Sequence, residues 1–283
     1  MTIQTAQDLA SPSIDIILCA TQRCGSTLVV EDMRNSSVLG IPEEYFIPWT
    51  KRQTKTNWQA AFNSICKRSQ GSNGISSIKI MANQLPAVEE GLATFLDPKT
   101  DCSFPSVAAA FTSSKWVWLK RDNIVAQAIS RVMAKQTGIN HATGTSEQDH
   151  FAGNLLKGYK DDYNKNSVYR FEAILNQVVS IELENLCWRR FFQTASIVPL
   201  ILVYEDIIAG QDMYHLGLIA DLVNIDNCIN KVPRRMVKLS NSVSIEWEER
   251  FFHDLARLDY KIKPAARKQE ASTPSVKKSA QSD

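Results

Sequence analysis

The stretch Ile14 to Arg34, IDIILCATQRCGSTLVVEDMR, limits what this chain can fold into more than any other. Its first seven residues, ending at Ala20, are mostly apolar and β-branched and have the length of a buried strand. From Ser26 to Arg34, Leu28, Val29, Asp32 and Met33 fall at helical spacing. Thr21-Gln22-Arg23-Cys24-Gly25 joins the two as a tight turn with one glycine and one cation. A strand, a short turn and a helix start make an anion site. The first N–H groups of the helix have no partners within it, and the helix dipole adds partial positive charge. Gly25 lets the backbone come close, Arg23 supplies a forked donor, and Ser26 and Thr27 add hydroxyls beside Gln22 and Cys24. The expected guest is a phosphate or a sulfate; a βα turn that binds nothing is the plainer alternative.

What the turn lacks narrows the guest. A nucleoside-triphosphate loop reads G-x-x-x-x-G-K-[ST], whereas Ala20 stands at the first Gly and Ser26 at the Lys, which disfavours a kinase or ATPase. A thiol phosphatase needs Arg six residues after its Cys, but Gly25 follows Cys19 at that distance and Val30 follows Cys24. Cys24 itself lies just ahead of a helix N-terminus and beside Arg23. There a thiol is expected to have a lowered pKa and, if exposed, to react readily.

Downstream, strands alternate with helices, which predicts an α/β fold with a mainly parallel sheet. Ser37 to Thr50 reads as a loop whose Tyr45, Phe46 and Trp49 either stack on a sugar or pin the loop to the core. Asn57 to Arg68 reads as a helix, Ile75 to Met81 as a second strand, and residues 84–96 as a helix. Lys79, near the C-terminal end of that strand, is expected to serve as a second cation beside the anion. Residues 97–114 are expected to cross the surface. Lys115 to Leu119 is a third strand, followed by an N-cap at Asp122 and a helix over Ile124 to Gln136. Gly138 to Asn166 reads as a polar, mobile insert and a lid over the acceptor; its His141 and His150 are read as solvated surface, and no metal is expected. Val168 to Thr194 is a long helix with Phe171, Leu175, Val178, Ile181, Leu186 and Phe192 on an apolar face. Pro199 to Tyr204 is expected as a central strand, with helices at Asp212 to Val223 and Glu246 to Leu258. Right-handed crossovers put the loops after the first and third strands on one sheet edge, bringing Arg23 and Arg121 to one cleft.

TQRCGST after a strand resembles the 5′-phosphosulfate loop of sulfotransferases that use 3′-phosphoadenosine 5′-phosphosulfate (PAPS). The longer run ATQRCGSTLVVEDMRNSSVLGIPEEYF is similar to the opening of the bacterial trehalose 2-sulfotransferase family, which usually has Ser at the place of Cys24. SIKIMANQ, VWLKRDNIVAQAISRVMAKQT and EWEERF continue the match in order to about residue 251. The resemblance implies a P-loop-like, three-layer α/β fold with a mainly parallel central sheet, and transfer of a sulfuryl group from PAPS to a hydroxyl of a carbohydrate or glycolipid. It implies that Arg121 and Ser130 hold the 3′-phosphate and that Glu44 is the base. It also implies that Lys238 stands where the family has an Arg, keeping the charge but losing the fork, and that the protein is a homodimer. On this reading Glu44, Arg23 and Lys79 are catalytic. Gln22, Arg23, Cys24, Gly25, Ser26, Thr27, Arg121, Ser130 and Lys238 bind the co-substrate.

With 283 residues, 44% of them hydrophobic, the chain can bury a full core, here over residues 1–262; the Pro-, Ser- and Lys-rich residues 263–283 are expected to form a disordered basic tail. A net charge of +2 is too small to point to nucleic acid. The six cysteines show no CxxC pair, which suits reduced thiols in a cytoplasmic protein. No secretory signal or transmembrane span is read. A nucleotide kinase and a non-catalytic nucleotide- or sugar-binding protein are the alternatives; the first lacks its Lys, and the second has no need of Glu44.

Overall fold

Five successive buried side chains with no polar alternation belong to a strand covered on both faces, and Ile16–Ala20 (β1) is one. The computed structural model describes residues 13–51, 56–98, 100–144, 155–210, 212–225 and 229–270, with only the backbone from 259 onward. The turn 21–25 leads from β1 into helix α1 (Ser26–Asn35). Then follow α2 (Trp58–Arg68), β2 (Ser77–Met81), α3 (Leu85–Ala93), α4 (Pro105–Ala110), β3 (Lys115–Lys120) and α5 (Ile124–Thr137). Two short parallel strands, β4 (His141–Thr143) and β5 (Leu155–Lys157), precede the long helix α6 (Phe171–Thr194). The chain continues with β6 (Leu200–Val203), α7 (Tyr204–Ala209), α8 (Tyr214–Leu222) and α9 (Ser242–Glu270).

The central sheet has the order β2-β1-β3-β6, and every pairing in it is parallel. Strand alternation divides its side chains between two helical layers. Ile17, Cys19, Ile78, Ile80, Trp116 and Trp118 pack on α2, α3, α4 and α6. Ile16, Leu18, Val117, Leu119 and Leu202 pack on α1, α7 and α8. The result is the expected P-loop-like, three-layer α/β arrangement. A further cluster joins α5 and α6 to α9 through Ile129, Val132, Ile174, Ile181, Trp247 and Phe251. Beyond β2 the edge is covered by the loop after α1, where Glu43 bridges to Ile78 and Lys79 N donates to the Glu43 carbonyl at 3.0 Å.

Several expectations change. The strand β6 is an edge, not central; Ile201 is 52% exposed, and a four-residue apolar run reads the same in either place. Residues 97–114 do more than cross the surface, because α4 buries Val107 and is followed by the buried Phe111. No residue within that segment caps α4; Glu89 of α3 does, accepting from Ser106 N and Val107 N at 3.0 Å each. Asn123, not Asp122, caps α5, its side chain accepting from Ala126 N. Leu186 of α6 faces outward, and the buried side runs through Ile174, Ile181, Trp188 and Phe191. The helix α9 continues to Glu270, past the expected start of the tail, through residues of high helix propensity such as Ala265 to Glu270. Residues 271–283 lie outside the described residues.

Trp188 ties the helical layer to the loop end of β1. It is fully buried, stacks on Phe192 and donates Nε1–H to the Ala20 carbonyl at 3.1 Å. Trp188→Phe keeps an aromatic ring but strands that carbonyl. We expect it to lower unfolding free energy in urea by about 1–3 kcal/mol with the fold retained. An unchanged midpoint would mean that the Ala20 carbonyl has another donor.

Candidate active site

After β1 the chain reverses through two left-handed residues, Arg23 at φ 66° and Gly25 at φ 94°. Glycine is required at 25 on a second count as well. A Cβ there would lie 2.2 Å from Cδ2 of Tyr204, at the start of α7. Gly25 gives the first turn of α1 no capping side chain, and that turn holds no acidic residue. The positive end of the helix is therefore left for a ligand. Gln22, Arg23, Gly25, Ser26 and Thr27 line a cavity of about 1600 Å³ over this turn.

Cys24 does not share in that lining. It is completely buried against the sheet, and burial pushes its thiol up, outweighing nearby backbone donors and cations. The expected reactive thiolate is thus corrected: the helix dipole acts on the turn, but the Cys24 side chain points into the core.

Polar groups from α5 and α6 hold the turn from behind. Gln127 Nε2 donates to Thr21 Oγ1 at 2.9 Å and to the Gln22 carbonyl at 2.7 Å. Arg131 Nε donates to the same carbonyl at 3.0 Å, and its two terminal nitrogens grip the Glu184 carboxylate at 2.9 and 2.7 Å. The sequence reading missed these residues. Its one available signal was Gln127 and Arg131 spaced i, i+4 on a helix that also carries Ser130.

The two distant arginines do meet. Arg23 Nε donates to Ser130 Oγ at 2.9 Å, its Nη1 donates to the Asn140 carbonyl, and Arg121 Nη1 reaches the Arg23 carbonyl at 3.3 Å. The Arg121 guanidinium lies 4.9 Å from the centre of the Tyr204 ring, with its Nε 3.6 Å from Glu205. Burial, with Arg121 close by, draws the Arg23 pKa below its ordinary value, while Tyr163 opposes the shift. An arginine so placed stays charged. Lys238 lines the same cavity.

Glu44 enters the cavity on the β2 side. Residue 43 is paired to β2, so alternation sends Glu43 outward to Arg34 and Glu44 inward. Lys79 Nζ is 2.8 Å from Glu44 Oε1, and Gln84 Nε2 donates to Oε2 at 3.0 Å. The Lys79 side chain is 4% exposed. Its ammonium is therefore spent on Glu44 and is not the free second cation that the sequence suggested. Tyr45, Phe46 and Trp49 are buried and pin the loop to the core; Tyr45 Oη donates to the carbonyls of Ile41 and Arg68. Of the described residues in the expected lid, Ala142, Thr143 and Asn164 are buried and Asn140, His141, Tyr163 and Asn166 line the cavity, while His150 lies outside the described residues. Among the described residues no three His, Cys, Asp or Glu converge as a metal site would need.

The model of the family described as Stf0 sulphotransferase matches residues 15–254. A protein named trehalose 2-sulfotransferase, from Mycobacterium tuberculosis (strain ATCC 35801 / TMC 107 / Erdman), is 22% identical over 278 residues, covering 86% of this chain and 96% of that protein. Among solved structures, a sulfotransferase from Alicyclobacillus acidocaldarius superposes with TM-score 0.42 at 11% identity, covering 88% of this chain and 96% of that one. The sulfotransferase domain from the curacin biosynthetic pathway gives TM-score 0.32 at 18% identity, with 82% of each chain covered.

Cysteine labelling tests the orientation of Cys24. In the native protein, iodoacetamide should modify the half-buried Cys102 and Cys187 first, with Cys19 and Cys24 reacting only on unfolding. Peptide mass spectrometry that found Cys24 modified early, with the protein still folded, would return it to the cavity wall.

Proposed function

The chain belongs to the Stf0 sulphotransferase family, and from that premise we propose that it moves a sulfuryl group from PAPS to a hydroxyl of a carbohydrate or glycolipid. The observation that carries this reading is one cavity lined by the uncapped start of α1, by Arg23, Ser130, Arg121 and Lys238, and by Glu44. A donor with phosphate at two positions needs two cationic grips, and an acceptor hydroxyl needs a base. The name of the mycobacterial relative supports a sugar as acceptor.

In the proposed reaction the acceptor oxygen forms its bond to sulfur as the bond between sulfur and the 5′-phosphate oxygen breaks. The hydroxyl proton passes to Glu44, and the electron pair leaves with 3′-phosphoadenosine 5′-phosphate. The turn's N–H groups and Arg23 meet the charge that develops on the leaving phosphate, Arg121 and Ser130 hold the 3′-phosphate, and Lys238 adds a further cation to the donor's grip. Lys79 and Gln84 fix the Glu44 carboxylate in one orientation, which makes Lys79 a positioning residue. The reading includes a homodimer, carried over from the resemblance. It also includes a cytoplasmic location, supported by the five free cysteines among the described residues.

Two substitutions test the roles by calorimetry and steady-state kinetics. Arg121→Ala should weaken 3′-phosphoadenosine 5′-phosphate by about ten- to a hundredfold, and adenosine 5′-phosphosulfate, which has no 3′-phosphate, far less. Equal losses would take Arg121 away from the 3′-phosphate. Glu44→Gln should lower kcat at least about a hundredfold and leave affinity for 3′-phosphoadenosine 5′-phosphate in place. It should also cost stability, about 3–5 kcal/mol, because Lys79 is left buried and unpaired. Glu43→Gln should slow turnover less than about tenfold; a reversed order would make Glu43 the base.

A further inference from the structure

The chain between α8 and α9 is fastened to α1 by charge. Arg234 Nε lies 3.0 Å from both carboxylate oxygens of Asp32, and its Nη2 is 2.8 Å from Oδ2. The next residue, Arg235, places Nε 3.2 Å from Glu31 Oε1. Both carboxylates have fully buried side chains, although Glu31 and Asp32 are neighbours on one helix. Asp32 Oδ2 also meets His215 Nε2 of α8 at 2.9 Å. Burial pushes the Glu31 pKa up and Arg235 pulls it back. Two adjacent acids with no exposure are costly to desolvate, and apolar side chains would hold a loop more cheaply. What the ionic pairs add is direction, because a forked guanidinium accepts a carboxylate in few orientations.

The segment thus anchored lines the cavity. Met236 bridges to Thr143, Val237 N donates to the Ala142 carbonyl at 3.0 Å, and Gly144 N donates to the Arg235 carbonyl at 3.3 Å. At its far end Tyr163 Oη donates to the Leu239 carbonyl, and Asn241 exchanges amide hydrogen bonds with Asn164 at 2.8 and 3.1 Å. Between the two anchors, Met236, Val237, Lys238 and Leu239 line the same cavity as the start of α1. One helix therefore presents its N-terminus to the cavity and, within two turns, grips the strap that forms part of the cavity's lining.

We infer that Asp32, with Glu31 beside it, is a positioning residue for the donor: by anchoring Arg234 and Arg235 it sets the strap, and Lys238 upon it, over the donor's 3′-phosphate end. This rests on the sulfuryl-transfer reading above. It adds that the two ends of the donor are held through a single helix, so that a change at residue 32 reaches the distal phosphate without touching it.

The test uses the full chain and two ligands, 3′-phosphoadenosine 5′-phosphate and adenosine 5′-phosphosulfate, titrated by calorimetry. Wild-type protein that bound neither, and transferred no sulfuryl group, would overturn the function itself. Given wild-type binding, Arg234→Gln should weaken 3′-phosphoadenosine 5′-phosphate ten- to a hundredfold and adenosine 5′-phosphosulfate less than threefold. It should raise the KM for PAPS with kcat within threefold, and raise deuterium uptake across residues 234–240. Asp32→Asn should reproduce this pattern. Should it fail to fold, the Arg234 variant decides, since that side chain is 19% exposed and tolerates replacement better. Affinity within threefold of wild type, or equal losses for the two ligands, would overturn the strap's role and leave the sulfuryl-transfer reading standing.

Discussion

A backbone that turns its N–H groups toward a ligand must turn its carbonyls the other way, and here that way is toward protein donors. A carbonyl left buried without a donor costs about 1–3 kcal/mol. The structure answers residue by residue. Ala20 receives Trp188, Thr21 receives the amide of Cys24, Gln22 receives Gln127 and Arg131, and Arg23 receives Arg121. Apart from the Cys24 amide within the turn itself, the donors come from α5, α6 and the end of β3, so the helical packing on that side of the sheet serves as the template for the turn. The anion site is a local shape with non-local support.

The same logic sorts the cations. Arg131 and Arg234 line the cavity but are spent on Glu184 and Asp32, so each holds backbone in place instead of facing a ligand with free charge. Among the described residues, Arg23 donates to neutral acceptors, Ser130 Oγ and the Asn140 carbonyl. Arg121 has its guanidinium carbon 4.9 Å from the centre of the Tyr204 ring and its Nε 3.6 Å from Glu205. The charges least compensated by carboxylates are those facing the turn, where a polyanion would gain most from them. The same cavity carries Glu44, its carboxylate held in one orientation by Lys79 and Gln84.

What was legible in the sequence follows the range of the forces involved. β1, the turn, α1, β2, β3 and α5 rest on apolar periodicity and turn chemistry within a dozen residues, and they stand where the residues implied. The convergence of Arg23 with Arg121 and Ser130 followed from the handedness of crossovers and from the family resemblance. The errors have another origin. Whether Cys24 faces ligand or core, whether Lys79 is free or paired, and whether β6 is covered on its outer side depend on partners far along the chain. The residue types are the same in either case. The support from Gln127, Arg131 and Glu184 was invisible for the same reason, since polar residues on a helix read as solvated until their acceptors are known.

The contact between Gly25 and Tyr204 gives these two positions a shared history. A side chain at 25 would overlap the ring, and the positive φ there penalises any replacement even if the ring were removed. The ring in turn carries the Arg121 guanidinium. Drift at position 204 toward a smaller residue would therefore open space that position 25 cannot use, while stripping a cation of its platform. Substitution in either order passes through a worse protein, so the geometry ties the two positions together and leaves neither free to change alone.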